Sequence, residues 1–432
     1  MTFWRLKEVL LFAFLTFTVL YYFLRFQWGW DQNIVALQAL LLITISGIAA
    51  LRIMSGRGVS AHPAFFYIFI AYSAALLLPT YIRGGATGAI YATKDYVLPA
   101  LLLLGYSYFI PQKRIYSVFY CMSFLGLVVS VVYFAEFVSK NILFIGTFNY
   151  TEGIRELSSA TGADYLAESK FSDGIDSFFR LVGPLSHNNS TATMIAIGSI
   201  STIPLLTSRF RILLSLTLAF CVTVLLLTGS RTASIALIIG FGYYFRDKRM
   251  IIILTLLILV SIVISVVFIL PAFIEVINIT TLSNTLWDLL SEAAYLGSDR
   301  FYNLLIGSGY NFPGFDNSYE ALNGPILNDD LFIIQFLTTY GLLPIVIFFF
   351  CVGRMRSIPR DSHNYAFYNA ANAILICLVV TMFHTNAMIR PQIYPVFFLM
   401  IVIKYVIHKK HQKDILSKRK NEEILSNNYY GR

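Results

Sequence analysis

Apolar runs close to 20 residues long recur from one end of this chain to the other, and clustered Lys and Arg mark every second connection between them. A helix of about 20 apolar residues covers the hydrocarbon core of a bilayer. Inside hydrocarbon every backbone polar group needs an internal partner, so only helices and closed barrels span it. The two-residue alternation of barrel strands is absent here. The chain is 57% hydrophobic and 13% charged, about half the charged fraction of a soluble domain. The pattern predicts an all-α polytopic membrane domain over residues 1–408 and a basic tail over 409–432.

The runs place twelve spans near 9–26, 34–52, 63–81, 92–110, 115–138, 188–207, 211–228, 232–246, 250–271, 330–353, 366–386 and 392–408. Every second connection is basic: Arg52 and Arg57; Lys113 and Arg114; Arg209 and Arg211; Arg246, Lys248 and Arg249; Arg354, Arg356 and Arg360. The tail adds Lys409, Lys410, Lys413, Lys418, Arg419 and Lys420. Because Lys and Arg accumulate in cytoplasmic loops, these connections and both termini are expected in the cytoplasm. The formal net charge of +9 is then a property of one membrane face, with no nucleic-acid partner needed to explain it. Arg5 and Lys7 precede the first apolar run without a small-residue cleavage site after it, as in an uncleaved first helix. Cys121, Cys221, Cys351 and Cys377 all lie within apolar runs and read as small core residues without ligand or disulfide spacing. No internal repeat divides the chain into two halves.

Two outward connections are long, roughly 139–187 and 272–329, and both are rich in polar residues and aromatics such as Tyr150, Phe178, Trp287, Tyr310 and Phe315. Rings and amides suit sugars, whose C–H faces stack and whose hydroxyls pair with amides; an interfacial aromatic belt explains single rings as well. Within the second loop, Leu286, Leu289, Leu290, Ala293 and Ala294 recur at helical spacing opposite Asp288, Ser291 and Glu292, an amphipathic helix suited to the membrane surface.

The candidate chemistry sits at the outer ends of these spans. Arg231, in Thr228-Gly229-Ser230-Arg231-Thr232, lies between two apolar segments. Arginine is costly at that depth and grips phosphate in a planar fork. Gly229 permits close backbone approach, Ser230 and Thr232 offer hydroxyls, and the following helix start adds positive potential. Snorkelling to lipid headgroups is the alternative. His187 and Asn188 open another helix after Gly183-Pro184-Leu185-Ser186, with Arg180 upstream. They form either an anion or sugar-hydroxyl site or a capping stretch. Asn328-Asp329-Asp330 enters a further helix; one aspartate suits an N-cap and the other a general base whose pKa partial burial would raise. A divalent metal with Asp316 is a third option, without compact ligand spacing to support it. Arg300 is either a second phosphate ligand or a partner of Asp299. Arg390, near His384 and Asn386, is the lone charge of the last outer turn, and Arg83 suits an interfacial anchor.

Three of these strings, taken in order, resemble the bacterial O-antigen ligase and Wzy-type polysaccharide polymerase superfamily. They are Gly183 to Ala192; Leu227-Thr228-Gly229-Ser230-Arg231-Thr232-Ala233-Ser234; and Leu305-Ile306-Gly307-Ser308-Gly309 followed by Asn328-Asp329-Asp330-Leu331, Gln335-Phe336-Leu337 and Tyr340-Gly341-Leu342-Leu343-Pro344. The resemblance implies a GT-C-like, metal-independent membrane glycosyltransferase without cofactor. Its partner would be an oligosaccharide on undecaprenyl pyrophosphate at the periplasmic face. Arg231 would hold the pyrophosphate, and a second loop arginine, here nearest at Arg300, would assist. Ligases carry a His-Asn pair where this chain has Asn328-Asp329-Asp330, and polymerases commonly carry an acidic residue there, so the resemblance favours the polymerase branch. It also implies a separate chain-length-regulating co-polymerase. The rival expectations are a ligase with the same donor, a flippase or transporter of lipid-linked sugar, and a non-catalytic assembly component.

Overall fold

The computed structural model describes residues 3–19, 114–139, 183–185, 188–246, 364–381 and 393–430, with isolated positions between 37 and 110 and at 342 and 359. The elements are α1 (Phe3–Val19), α2 (Ile115–Ser139), α3 (Asn188–Thr202) continued by a 3-10 turn (Ile203–Thr207), α4 (Arg211–Leu227), α5 (Arg231–Phe245), α6 (Tyr365–Thr381) and α7 (Tyr394–Tyr430). There is no strand among the described residues. Two helical stretches, Ile115–Ala135 and Asn189–Thr207, are long and apolar enough to cross a membrane. Apolar side chains also face outward: Ile212, Leu213 and Leu216 on α4, Ile235 and Ile238 on α5, and Phe124 and Val131 on α2 are all exposed. A row of large exposed aliphatics is a poor surface for water and an ordinary one for lipid.

A helix less apolar than α1, α2, α4, α5 and α6 lies at the centre. α3 reads NNSTATMIAIGSIST, yet every residue from Ser190 to Leu205 is buried. Small side chains explain this, because between helices in lipid close approach of backbones gains packing that bulk would prevent. An added Cβ on Gly198 would lie 2.5 Å from the Gly126 Cα of α2, so the two helices cross backbone to backbone. Beside the crossing the hydroxyls of Ser123 and Thr202 are 2.7 Å apart. Ser199 and Thr202 also donate to the carbonyls of Ile195 and Gly198, which removes unsatisfied donors from the core. Pro204 cannot continue the α-helical ladder, and the chain tightens into the 3-10 turn there. On the other flank of α3, Gly240 of α5 packs against Ile200, and a Cβ there would lie 3.2 Å from the Ala373 carbonyl of α6.

These contacts fix helix polarity. Ser123–Thr202, Gly126–Gly198 and Tyr133 with the Gly183–Thr191 contact run α2 against α3 antiparallel. Asn189–Ser230 and Ile200–Gly240 run α3 and α5 parallel. Gly240–Ala373 and the Asn369 amide donating to the Tyr244 carbonyl (2.7 Å) run α5 and α6 antiparallel. α1 lies parallel to α2, with Phe12 on Phe124 and Glu8 3.7 Å from Arg114. Arg114, Arg209 and Arg246 therefore share one end of the bundle, and the starts of α3 and α5 share the other.

The observed helices lie close to the expected spans, with three differences. The first starts at Phe3 rather than near residue 9. The apolar run at 188–207 ends in 3-10 geometry. The last helix does not stop at 408: the basic tail continues it to Tyr430, because the tail is rich in Lys, Arg, Glu and Leu, all good helix formers. Cys121, Cys221 and Cys377 are buried, and none is in a disulfide among the described residues. The spans near 34–52, 63–81, 92–110, 250–271 and 330–353 and both long loops fall wholly or mostly outside the described residues.

Candidate functional site

Two of the strings singled out in the sequence meet at one end of the bundle. α4 ends at Leu227, and the Thr228 N–H donates to the carbonyls of Val224 and Leu225 at 3.1 Å. The Thr228 hydroxyl donates to the Leu225 carbonyl at 2.6 Å and accepts the Ser230 N–H at 3.2 Å. Between them Gly229 takes φ +64°, a left-handed conformation that costs other residues steric strain. This turn reverses the chain within three residues and delivers Ser230 as the N-cap of α5.

Ser230 is an unusual cap. A serine here ordinarily accepts a bond from the N–H two or three residues on. The Ser230 hydroxyl makes no such bond to its own helix; it donates instead to Asn189 Oδ1 at 3.0 Å. Its carbonyl does start the helix, accepting the Ser234 N–H at 3.1 Å and the Ser234 hydroxyl at 2.9 Å. The first-turn amides of α5 are thus left without a side-chain cap, at the end of a helix where orphan N–H groups and the dipole favour an anion. Arg231 is the first residue of that turn.

The Ser230–Asn189 bond joins this turn to the start of α3. There Gly183, at φ +73°, packs closely against α3: a Cβ at that position would lie 2.7 Å from Thr191 and 3.0 Å from the Tyr133 ring. Leu185 is fully buried. The parallel pairing of α3 and α5 therefore brings two helix N-termini side by side, Asn188 opening one and Arg231 the other. Just inside α3, the Ser190 and Thr193 hydroxyls are buried and have no hydrogen-bond partner among the described residues; both lie on one face of the helix.

Of the expected site residues, the structure brings together Ser230, Asn188 and Arg231 by their backbone positions. Arg180, His187, Arg300, Asp329, Asp330 and Arg390 lie outside the described residues. The pairing of Asn189 with Ser230, 41 residues later, carries no local signal in the sequence. The left-handed conformation of Gly183 and its contact with Thr191 likewise depend on packing against α3. No group of His, Cys, Asp or Glu among the described residues is arranged to hold a metal ion. No protein-family model, curated protein or solved structure matches the chain.

Proposed function

We propose that the chain is a multi-pass polysaccharide repeat-unit polymerase of the bacterial inner membrane. It would transfer a growing glycan from undecaprenyl pyrophosphate onto the next lipid-linked repeat at the periplasmic face. The observation that carries the reading is the Ser230–Asn189 bond, which sets the start of α5, with Arg231, beside the start of α3. The substrate class comes from the ordered motifs of the sequence, and the geometry supplies a reason for their pairing: two adjoining helix N-termini make a positive, donor-rich corner suited to a pyrophosphate. The helix polarities are those that twelve alternating crossings with cytoplasmic termini require, which supports the proposed orientation.

In this reading the acceptor hydroxyl attacks the anomeric carbon of the donor sugar. The bond from that carbon to the pyrophosphate oxygen breaks, its electron pair leaves with the pyrophosphate, and the hydroxyl proton passes to Asp329 or Asp330. The leaving group is already stable, so charge neutralisation and positioning by Arg231 and the α5 amides matter more than strong acid chemistry. Arg180, His187, Asn188, Arg300 and Arg390 would contact sugar or phosphate from the same face.

The test is elongation by the purified chain with a matched lipid-linked repeat. A ladder of longer glycans that vanishes with Arg231→Ala supports the proposal. Transfer of preformed polymer to a lipid A core acceptor without a ladder assigns it to the ligase branch. Transbilayer movement of the repeat without any new glycosidic bond assigns it to transport.

A further inference from the structure

At the opposite end of the bundle a lysine is buried without an acidic partner among the described residues. Lys404 of α7 is 8% exposed. Its ammonium lies 5.6 Å from the centre of the Tyr368 ring, on the first turn of α6. The carboxylates with described side chains are Glu8, paired with Arg114, and Asp414, which lies about 15 Å further along α7. A ring face attracts a cation weakly, and an ionisable side chain within a span ordinarily marks a binding site with a definite partner.

The surroundings are polar and built from three helices. The Tyr368 hydroxyl is hydrogen-bonded to Asn372, and Tyr243 of α5 is near enough to interact with it electrostatically. Asn369 ties α6 to the end of α5 through the Tyr244 carbonyl. Arg246 stacks on Tyr243 at 4.4 Å and is exposed. Beyond Lys404, Lys409 rides over Tyr405 at 5.9 Å; burial, and then the neighbouring charge of Lys413, pushes its pKa down. Cations and amides thus line one rim, about one helical turn inside the ends of α5 and α6.

We infer that the α5–α6–α7 rim around Lys404, Tyr368 and Arg246 binds a phosphate group, supplied by an anionic phospholipid of the cytoplasmic leaflet. Basic pockets between spans on that side suit such headgroups, and lysine serves phosphate as a compact point charge. The inference rests on the orientation proposed above and not on the glycosyltransferase chemistry.

The full chain is placed in nanodiscs of phosphatidylcholine alone, or with phosphatidylglycerol, and its thermal midpoint is measured; native mass spectrometry counts the phospholipid retained. The wild type should gain stability with phosphatidylglycerol and retain it on release. Lys404→Met should lose both effects while eluting as a folded monodisperse species, and Lys404→Arg should keep them. Arg231→Ala should also keep them, so a failure of the polymerase reading leaves this result intact. An undiminished phosphatidylglycerol shift in Lys404→Met overturns the site. Inorganic phosphate matching the shift in phosphatidylcholine discs, with no added effect of the lipid, overturns the lipid assignment in favour of a free phosphate.

Discussion

Replacing Gly198 by alanine probes the contact that positions α3. The added Cβ would lie 2.5 Å from the Gly126 Cα, 3.3 Å from the Gly126 nitrogen and 3.4 Å from the Met122 carbonyl oxygen. Ordinary carbon contacts begin near ~3.5 Å, so the two backbones must part by roughly 1 Å. All three atoms belong to backbone, and no side chain can swing aside. Overpacking of this kind costs about 3 kcal/mol at the upper end of its range. The alanine returns about 1 kcal/mol of helix propensity, for a net loss near ~2 kcal/mol. Parting the helices also strains the Ser123–Thr202 contact of 2.7 Å and shifts the start of α3, where Asn189 holds Ser230. Gly242→Ala is the control, since a Cβ there meets nothing within 4 Å and gains only the propensity. Thermal unfolding of the purified proteins should rank Gly242→Ala at or above wild type and Gly198→Ala several degrees below it. Equal midpoints for the two substitutions would refute the close crossing.

Other perturbations address the corner itself. Gly229→Ala forces φ +64° on a residue with a Cβ and should cost about 1–2 kcal/mol, read as a lowered unfolding midpoint, with Gly229→Asn milder. Ser230→Ala removes the donor to Asn189 and should cost about 1–3 kcal/mol; a double-mutant cycle with Asn189→Ala should show coupling, and strict additivity would contradict the contact. Arg231→Ala should lower elongation by about 10²–10³-fold or more with the folded protein intact, and Arg231→Lys should not restore it fully, because a point charge does not replace the planar fork.

The sequence carried the helices well where local pattern decides them. The runs at 115–138, 211–228 and 232–246 follow from apolar length and from basic or glycine-containing breaks, and α2, α4 and α5 begin and end within a residue of them. It did not show that α3, more polar than these three helices, is the hub. That depends on Gly126 and Gly198 meeting across 72 positions of chain, and such pairing leaves no local trace. Charge patterning marked where the last span should end but not that the helix would run on, since a hydropathy boundary is not a helix boundary. Lys404 sits close to the expected span end at 408; its burial under Tyr368 depends on how α6 and α7 pack. At the site, Gly229 was legible as a place for close backbone approach, and its left-handed turn at φ +64° was not. The Asn189 partnership of Ser230 was not legible, because either residue alone reads as an ordinary cap.

The central claim is tested most directly by the glycan profile of a strain lacking this gene, complemented with wild type or with Arg231→Ala. The account predicts lipid-linked or surface glycan stalled at a single repeat, with long chains restored by wild type and not by Arg231→Ala. Chains of normal length in the Arg231→Ala strain would contradict it.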